Sequence, residues 1–591
     1  MKKKNLRSEN WFNNKDDPGS TAIYLERYLN YGLKKHDLQS GKPIIGIAQS
    51  GSDLSPCNRH ILKLSDTIKK GILDAGGIPM EFPTHPIQET GKRPTAALDR
   101  NLSYLSLVEI LYGYPIDGVI LTTGCDKTTP AALMAAATVN IPSIILSGGP
   151  MLDGHYKGKK AGSGTIIWEA RKLFAKGEIN YDEFMAMATS SSPSEGHCNT
   201  MGTASTMNSI AEALGMSLTG SAIIPAPYKE RDEISYTTAK RIVEMVHEDL
   251  TPSKIMTRNA FENAIKVASA LGGSSNCPPH LIAIAKHIGV KIDIEDWQKL
   301  GHEIPLLVNC QPAGEHLMEG FFKAGGVPAV MKELLNNNQL HKDVLTVTGK
   351  TLEKNLNFEI KIDKEIIKEF KNPLAYKSGF IVMRSNFFSS AIMKTSVISE
   401  EFKNRYLLNP DNPNCFVVKA IVFEGPEDYH KRINDKNLDI DENSILVIRG
   451  CGPIGYPGSA EVVNMQPPDN LLKKGINTLP TLGDGRQSGT SESPSILNVS
   501  PESAIGGDLL ILNTGDQLKI DLNNKRIDLL ISEEEIKKRR SNIKIPKLIN
   551  QTPWQEISRK FVGQLENGSC LELDEQYVDI NNNKGIPRNS H

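Results

Sequence analysis

Three stretches in the first 150 residues constrain this chain more than any other feature. PIIGIAQS (43–50), IDGVILTTG (116–124) and IPSIILSGG (141–149) are apolar, β-branched runs, each stopping abruptly in small residues. Between them lie segments of helical periodicity, an amphipathic one from Asn58 to Ala75 and the alanine-rich AALMAAATV (131–139), while GGIPMEFP opens a further strand. Strands that read as continuous apolar runs and alternate with helices are buried on both faces, which predicts a parallel sheet under helical layers. Ligands in such sheets bind where strands end, so chemistry is expected in the loops that begin at Gly51 and Gly124.

The rest of the chain adds three regions. The first 40 residues are polar yet carry Trp11, Phe12, Tyr24, Tyr28 and Tyr31, which predicts an arm laid on another surface, a subunit contact included. From Thr165 to about Gly289 the pattern is helical. Beyond about Phe380 come short strand-like runs, CFVVKAIVF, SILVIRG, DLLILN, QLKIDL and RIDLLI, separated by Gly, Asn and Asp. The expected fold is therefore α/β, with an arm over 1–40, a parallel-sheet domain with added helices over 41–385 and a β-rich domain over 386–591.

Composition narrows the partners. Lys and Arg total 68 against 69 Asp and Glu, a net charge of −1, with 39% hydrophobic and 23% charged residues, the profile of a soluble globular protein. Such a balance exerts no general pull on nucleic acid or an anionic membrane, so a small-molecule partner is expected. No apolar run approaches the roughly 18 residues of a bilayer crossing, and MKKKNLRSENW has no apolar segment behind its charges, so the expected location is the cytoplasm. The basic patch IKKRR (536–540) reads as a solvated helix face.

Eight cysteines in 591 residues are too sparse for a disulfide framework. Cys277, Cys310, Cys415, Cys451 and Cys570 read as small buried hydrophobes. Cys57 in SGSDLSPCNRH, Cys125 in TTGCDKTTP and Cys198 in SPSEGHCNTMGTA lie instead in polar loops without CxxC pairing. Brought together, three thiolates would hold an iron-sulfur cluster with one coordination position left over. Asp126 and Lys127 follow Cys125 directly; Glu89 (HPIQETGKR) and Glu461 (GYPGSAEVV) follow turns, and oxygen ligands of this kind suit magnesium, although each also reads as an ordinary solvated carboxylate. LGDGRQSGTSESPS (482–495) offers backbone donors, hydroxyls and Arg486, a composition that suits a carboxylate anion; neither GxxxxGK[ST] nor GxSxG occurs in it.

Taken together, TTGCDKTTPAALMAAA, SGGPMLDG, GHCNTMGTASTMNSIAEALGMSL, PLLVNCQPAGEH, GYPGSAEVVNM and LGDGRQSGTS resemble the dihydroxy-acid and phosphogluconate dehydratase superfamily nearly end to end. HPIQETGKRPTAALDRNL and QTPWQE resemble its sugar-acid branch, the aldonate dehydratases acting on acids such as xylonate and arabinonate. The resemblance implies a C-terminal domain built on a β-barrel with helices and a homodimer or homotetramer. It implies Cys57, Cys125 and Cys198 as ligands of a [2Fe-2S] cluster, with [4Fe-4S] as the alternative. It implies Glu89, Asp126, Glu461 and a carbamylated Lys127 as ligands of Mg2+, Ser488 as the base and Thr490 beside it for substrate or proton handling. Glu492 departs from the pattern, standing where that branch is expected to carry a small residue.

The implied reaction is dehydration of a sugar acid, a pentonate first, to its 2-keto-3-deoxy acid. The alternative keeps the chemistry and takes a branched dihydroxy acid of amino-acid synthesis, which would want an apolar pocket. A non-catalytic iron-sulfur sensor would need the cysteines but not Glu89, Lys127, Glu461 and Ser488.

Overall fold

The computed structural model describes residues 6–573. Its N-terminal half is organised by a parallel sheet of β1 (Ile44–Gln49), β2 (Ile78–Pro83), β3 (Gly118–Thr123) and β4 (Ser143–Ser147) in the order β2-β1-β3-β4. Every residue of β1, β3 and β4 is buried, as the uninterrupted apolar runs require. Helices Ile61–Asp74 and Lys229–Glu248 pack against each other across one face, where a Cβ on Gly71 would lie 2.7 Å from that of Ala239, so the glycine sets how closely they cross. Helix Thr128–Val139 is buried on all sides, in keeping with its alanine-rich sequence. Between β4 and the following helices, β5 (His155–Tyr156) and β6 (Lys159–Lys160) form a two-residue hairpin.

The described part of the aromatic arm lies on its own domain. Phe12, Leu25 and Leu38 bury against Ile44 and Ile78 at the starts of β1 and β2, and Trp11 stacks on Tyr24 at 4.1 Å. Arg7 donates to the Ile116 and Leu111 carbonyls, and Asp117 accepts from the Ser8 backbone and hydroxyl and from the Ile44 N–H. The arm thus packs over the start of β1 and β2 and is tied to the chain entering β3.

The C-terminal half holds an eight-stranded mixed sheet: β7 (Phe380–Met383), β8 (Ser390–Lys394), β9 (Cys415–Phe423), β10 (Ser444–Ile448), β11 (Thr481–Gly483), β12 (Ile496–Ser500), β13 (Gln517–Asp521) and β14 (Arg526–Leu529). The order is β14-β13-β9-β10-β11-β12-β8-β7, parallel from β9 to β12 and antiparallel on both flanks. Its ends meet where Arg384 exchanges backbone hydrogen bonds with Lys525 and Ile527, so the sheet is nearly closed, the barrel-like domain that the resemblance implied. Alternate residues divide between two cores: Val418, Ala420, Ile445 and Val447 inside, Ile421, Phe423, Leu446 and Ile448 outside.

One strand expectation fails. DLLILN is a 3-10 turn over Asp508–Ile511, not a strand, because the chain turns at Gly506 and Gly507 immediately before it and satisfies its backbone locally. A run this short is equally compatible with a buried turn. The basic patch lies on helix Glu533–Ser541, where Arg539 pairs with Asp516 and Arg540 with Asp508. Among the described residues no helix is long and apolar enough to cross a membrane.

Candidate active site

Strand ends from both halves converge. β3 stops at Thr123, and Gly124, Cys125, Asp126 and Lys127 form the turn that starts helix Thr128–Val139. A Cβ on Gly124 would sit 2.5 Å from Asn58 Oδ1, so this position admits only glycine. Asn58 ties the loops after β1 and β3 together: its Oδ1 accepts the Cys125 N–H at 2.8 Å and its Nδ2 donates to Ser50 Oγ. Asn208 secures the same turn, donating to the Gly124 carbonyl and accepting from Thr123 and Thr129. The loop after β4 pairs with the Cys198 loop, His197 N–H donating to the Gly149 carbonyl and Met151 N–H to that of His197.

These loops bring the three polar-loop cysteines together, while Cys277, Cys310, Cys415, Cys451 and Cys570 are buried elsewhere as expected. A hydrogen bond with Cys125, then burial and the neighbouring Cys125, Cys198 and Asp126 charges, hold the Cys57 thiol well above its ordinary range. Burial, with Asp126 adding to it, pushes Cys198 to about 12 while the Ser163 hydroxyl donates to its sulfur at 3.4 Å. Thiols crowded and desolvated in this way remain protonated unless a metal takes the place of their protons, so the donor set fits a soft metal centre.

Beside them stands a second group. One oxygen each from Glu89, Asp126 and Glu461 lies within 4.8 Å of the others, with Lys127 and Arg486 beside them. Lys127 Nζ is 3.1 Å from Glu89 and 4.0 Å from Glu461, but its angles make no hydrogen bond, and Glu89 Oε2 and Arg486 Nη2, 3.5 Å from Glu89 Oε1, are likewise ion-paired without a hydrogen bond. Arg486 Nη1 donates to Glu461 Oε1 at 2.9 Å and its Nε to the Ser459 carbonyl. Burial, then Glu89, pushes Glu461 up to about 7, and burial likewise raises Asp126. At Glu89 burial works upward too, but Lys127 and Arg486 prevail and hold it low. Three buried carboxylates facing one another with unmet polar atoms fit a hard cation held by oxygen.

Glu461 and Arg486 follow the parallel strands β10 and β11 of the other half. Asp484 fastens these loops by accepting from the Gly450, Cys451 and Ser503 N–H groups, and Glu502 accepts from those of Ile454 and Gly455. Asn276, just ahead of helix Cys277–His287, bridges the halves: its Nδ2 meets Glu461 Oε1 at 2.5 Å, Thr203 Oγ1 at 3.0 Å and the Gln487 carbonyl at 3.2 Å. Ser488 comes next, its N–H donating to Asn464 Oδ1 and its hydroxyl 2.9 Å from that of Thr490. Glu492, by contrast, is half-exposed and 3.9 Å from Lys172.

Asn58, Asn208, Asn276 and Asn464 escaped the sequence reading, since single polar residues inside apolar or small-residue stretches carry no spacing signal. A cavity of about 590 Å³ opens alongside, lined by Lys160, Gly162, Thr165, Gln311, His316 and Glu492 among others. The residues between Gly162 and Thr165 face inward from its wall, Ser163 touching Cys198 and Gly164 abutting Thr490.

A family model described as dihydroxy-acid/6-phosphogluconate dehydratase N-terminal matches residues 42–355, and its C-terminal counterpart matches residues 365–569. The chain is 60% identical over 587 residues to a D-xylonate dehydratase of Caulobacter vibrioides, covering 99% of this chain and 98% of that one. It is 44% identical over 550 residues to an L-arabinonate dehydratase of Rhizobium leguminosarum, with 91% and 92% covered. A dihydroxy-acid dehydratase of Clostridium novyi is 35% identical over 574 residues, with 95% and 100% covered.

Proposed function

The chain belongs to the dihydroxy-acid/6-phosphogluconate dehydratase family, and from that premise we propose that it dehydrates a sugar acid, D-xylonate first, to the 2-keto-3-deoxy acid. The observation that carries the sugar-acid reading is the polar cavity beside Thr490. Lys160 pairs with His316 and Thr165 with Gln311 on its wall, a polar lining that a hydroxylated chain can join with further hydrogen bonds, whereas the methyl groups of a branched dihydroxy acid would add none. The greater identity to the xylonate and arabinonate enzymes than to the dihydroxy-acid enzyme supports the same choice.

In this reading Cys57, Cys125 and Cys198 hold the iron-sulfur cluster, as [2Fe-2S], and Glu89, Asp126, Glu461 and Lys127 as its carbamate hold Mg2+. Lys127 suits that modification because its Nζ is buried among carboxylates without a hydrogen bond. When bound, the two groups supply positive charge for the substrate carboxylate and Lewis acidity for the departing hydroxyl. The protein supplies the rest. Arg486 keeps Glu461 oriented and adds a fixed cation beside the anion site. Ser488 Oγ accepts the C2 proton, that proton passes to the departing C3 hydroxyl so that it leaves as water, and the enol left behind becomes the keto acid. A serine hydroxyl is too weak an acid to serve as base unaided, so Ser488 depends on nearby positive charge and hydrogen-bond donors.

Anaerobic turnover of iron- and magnesium-loaded enzyme on D-xylonate, L-arabinonate, D-gluconate and 2,3-dihydroxyisovalerate, read as keto acid formed, tests the proposal. Product from sugar acids is expected; product from dihydroxyisovalerate alone would transfer the enzyme to the branched-chain reaction.

A further inference from the structure

Ser488 and Thr490 form a hydroxyl pair, and such a pair by itself leaves open which oxygen gives its proton. A third side chain biases the choice. Trp168 Nε1 lies 3.1 Å from Thr490 Oγ1, and an indole nitrogen can only donate. With that lone pair of Thr490 occupied, its own proton is turned away from Trp168, and the acceptor it meets among the described residues is Ser488 Oγ at 2.9 Å. The Thr490 backbone N–H also points at Ser488 Oγ, at 3.4 Å. Ser488 Oγ thus receives donors from one side only, an arrangement suited to the oxygen when it carries negative charge.

The approach of Trp168 is built into the fold. It sits on helix Thr165–Lys176, whose preceding residue, Gly164, has φ +83° and no room for a side chain, since a Cβ there would fall 2.4 Å from Thr490 Oγ1. Arg171, one turn along, holds its guanidinium 4.8 Å from the centre of the indole ring, and Gln466 Nε2 donates to the Trp168 carbonyl. A cation on the ring face draws electron density from the nitrogen and strengthens its N–H as a donor. The indole comes from the N-terminal half and the hydroxyl pair from the C-terminal half, so this contact forms only when the halves are seated together.

We propose that Trp168 is a positioning residue for proton abstraction: by donating to Thr490 it turns the Thr490 proton toward Ser488, and so stabilises the alkoxide with which Ser488 accepts the C2 proton. The inference rests on the reading of Ser488 as base.

The test uses cluster- and magnesium-loaded enzyme with D-xylonate and its C2-deuterated form. Trp168→Phe is expected to lower kcat about three- to tenfold, what one neutral hydrogen bond is worth, with KM within about twofold. The isotope effect should grow as proton abstraction becomes slower. Thr490→Val should cost at least as much, and Trp168→Phe in that background should cost little more, because its route to Ser488 is already cut. Trp168→His, which keeps a ring N–H, should recover part of the loss. Unchanged kcat and isotope effect in Trp168→Phe, losses that multiply with Thr490→Val, or equal losses in the Phe and His variants would each overturn the proposal. A Ser488→Ala enzyme that still turns over with its cluster intact would remove the base reading itself. An inactive Ser488→Ala enzyme beside an unaltered Trp168→Phe enzyme would remove only the role of Trp168.

Discussion

The thiol group and the carboxylate group are neighbours built in different ways. Cys57, Cys125 and Cys198 all come from loops of the N-terminal half, braced by Asn58 and Asn208 from that same half. The carboxylate group takes Glu89, Asp126 and Lys127 from that half but Glu461 and Arg486 from the barrel, joined through Asn276. The soft site therefore needs one folded half, whereas the hard site and Ser488 need the two halves seated against each other. Lesions should separate accordingly, because among the described residues the hydrogen bonds that brace the thiol group come from the N-terminal half.

The largest expected effect breaks the soft site alone. Cys57→Ser should lose the visible iron-sulfur absorption and reduce turnover to background, yet still be stabilised against heat by added magnesium as the native chain is expected to be, since no carboxylate has been touched. Loss of the magnesium response as well would mean that the two groups are not independently assembled.

A smaller effect tests the bracing of the barrel loops. Burial, with Asp484 adding to it, pushes Glu502 up to about 7. A carboxyl raised on folding contributes stability that is complete below its ordinary value near 4.5 and is lost as pH rises through the folded value. Glu502→Gln removes that titration and keeps an oxygen for the Ile454 and Gly455 N–H groups. Between pH 5.5 and 8.0 the native chain should lose roughly 2 kcal/mol more stability than the variant, read from unfolding at each pH. Parallel pH profiles would contradict the assignment. The smallest effect belongs to Glu492, half-exposed on the cavity rim beside Lys172. Glu492→Ala should change kcat/KM for D-xylonate less than about twofold, in line with surface ion pairs, and a fivefold change would instead make it a substrate contact.

The parts of this molecule that could be read in its sequence are those that repeat a local pattern. β1, β3 and β4 announced themselves because strands buried on both faces need unbroken apolar runs, and the loops after them drew attention because small residues at strand ends leave room for ligands. Cys57, Cys125 and Cys198 stood out by lying in polar loops, but nothing in their spacing says that they meet; only the fold does. Glu89 and Glu461 are 372 positions apart in the chain (461 − 89) and were distinguishable from solvated glutamates only through resemblance to known dehydratases. Asn276 and Trp168 were illegible because their meaning lies in a partner across the seam, Gln487 for one and Thr490 for the other. DLLILN misled because a short apolar run fixes burial and not conformation.

The central claim is that the metal-binding work is divided, one site within a half and one across the seam, with chemistry requiring both. Glu461→Gln tests it most directly, because this side chain alone among the three carboxylates comes from the barrel. The measurement is the visible spectrum and the D-xylonate turnover of the same anaerobic preparation. The account predicts an unchanged iron-sulfur spectrum with turnover lowered about 10²- to 10³-fold, the scale of losing a charge-positioning group at an active site. A spectrum that collapses together with turnover, or turnover within about threefold of the native enzyme, would contradict it.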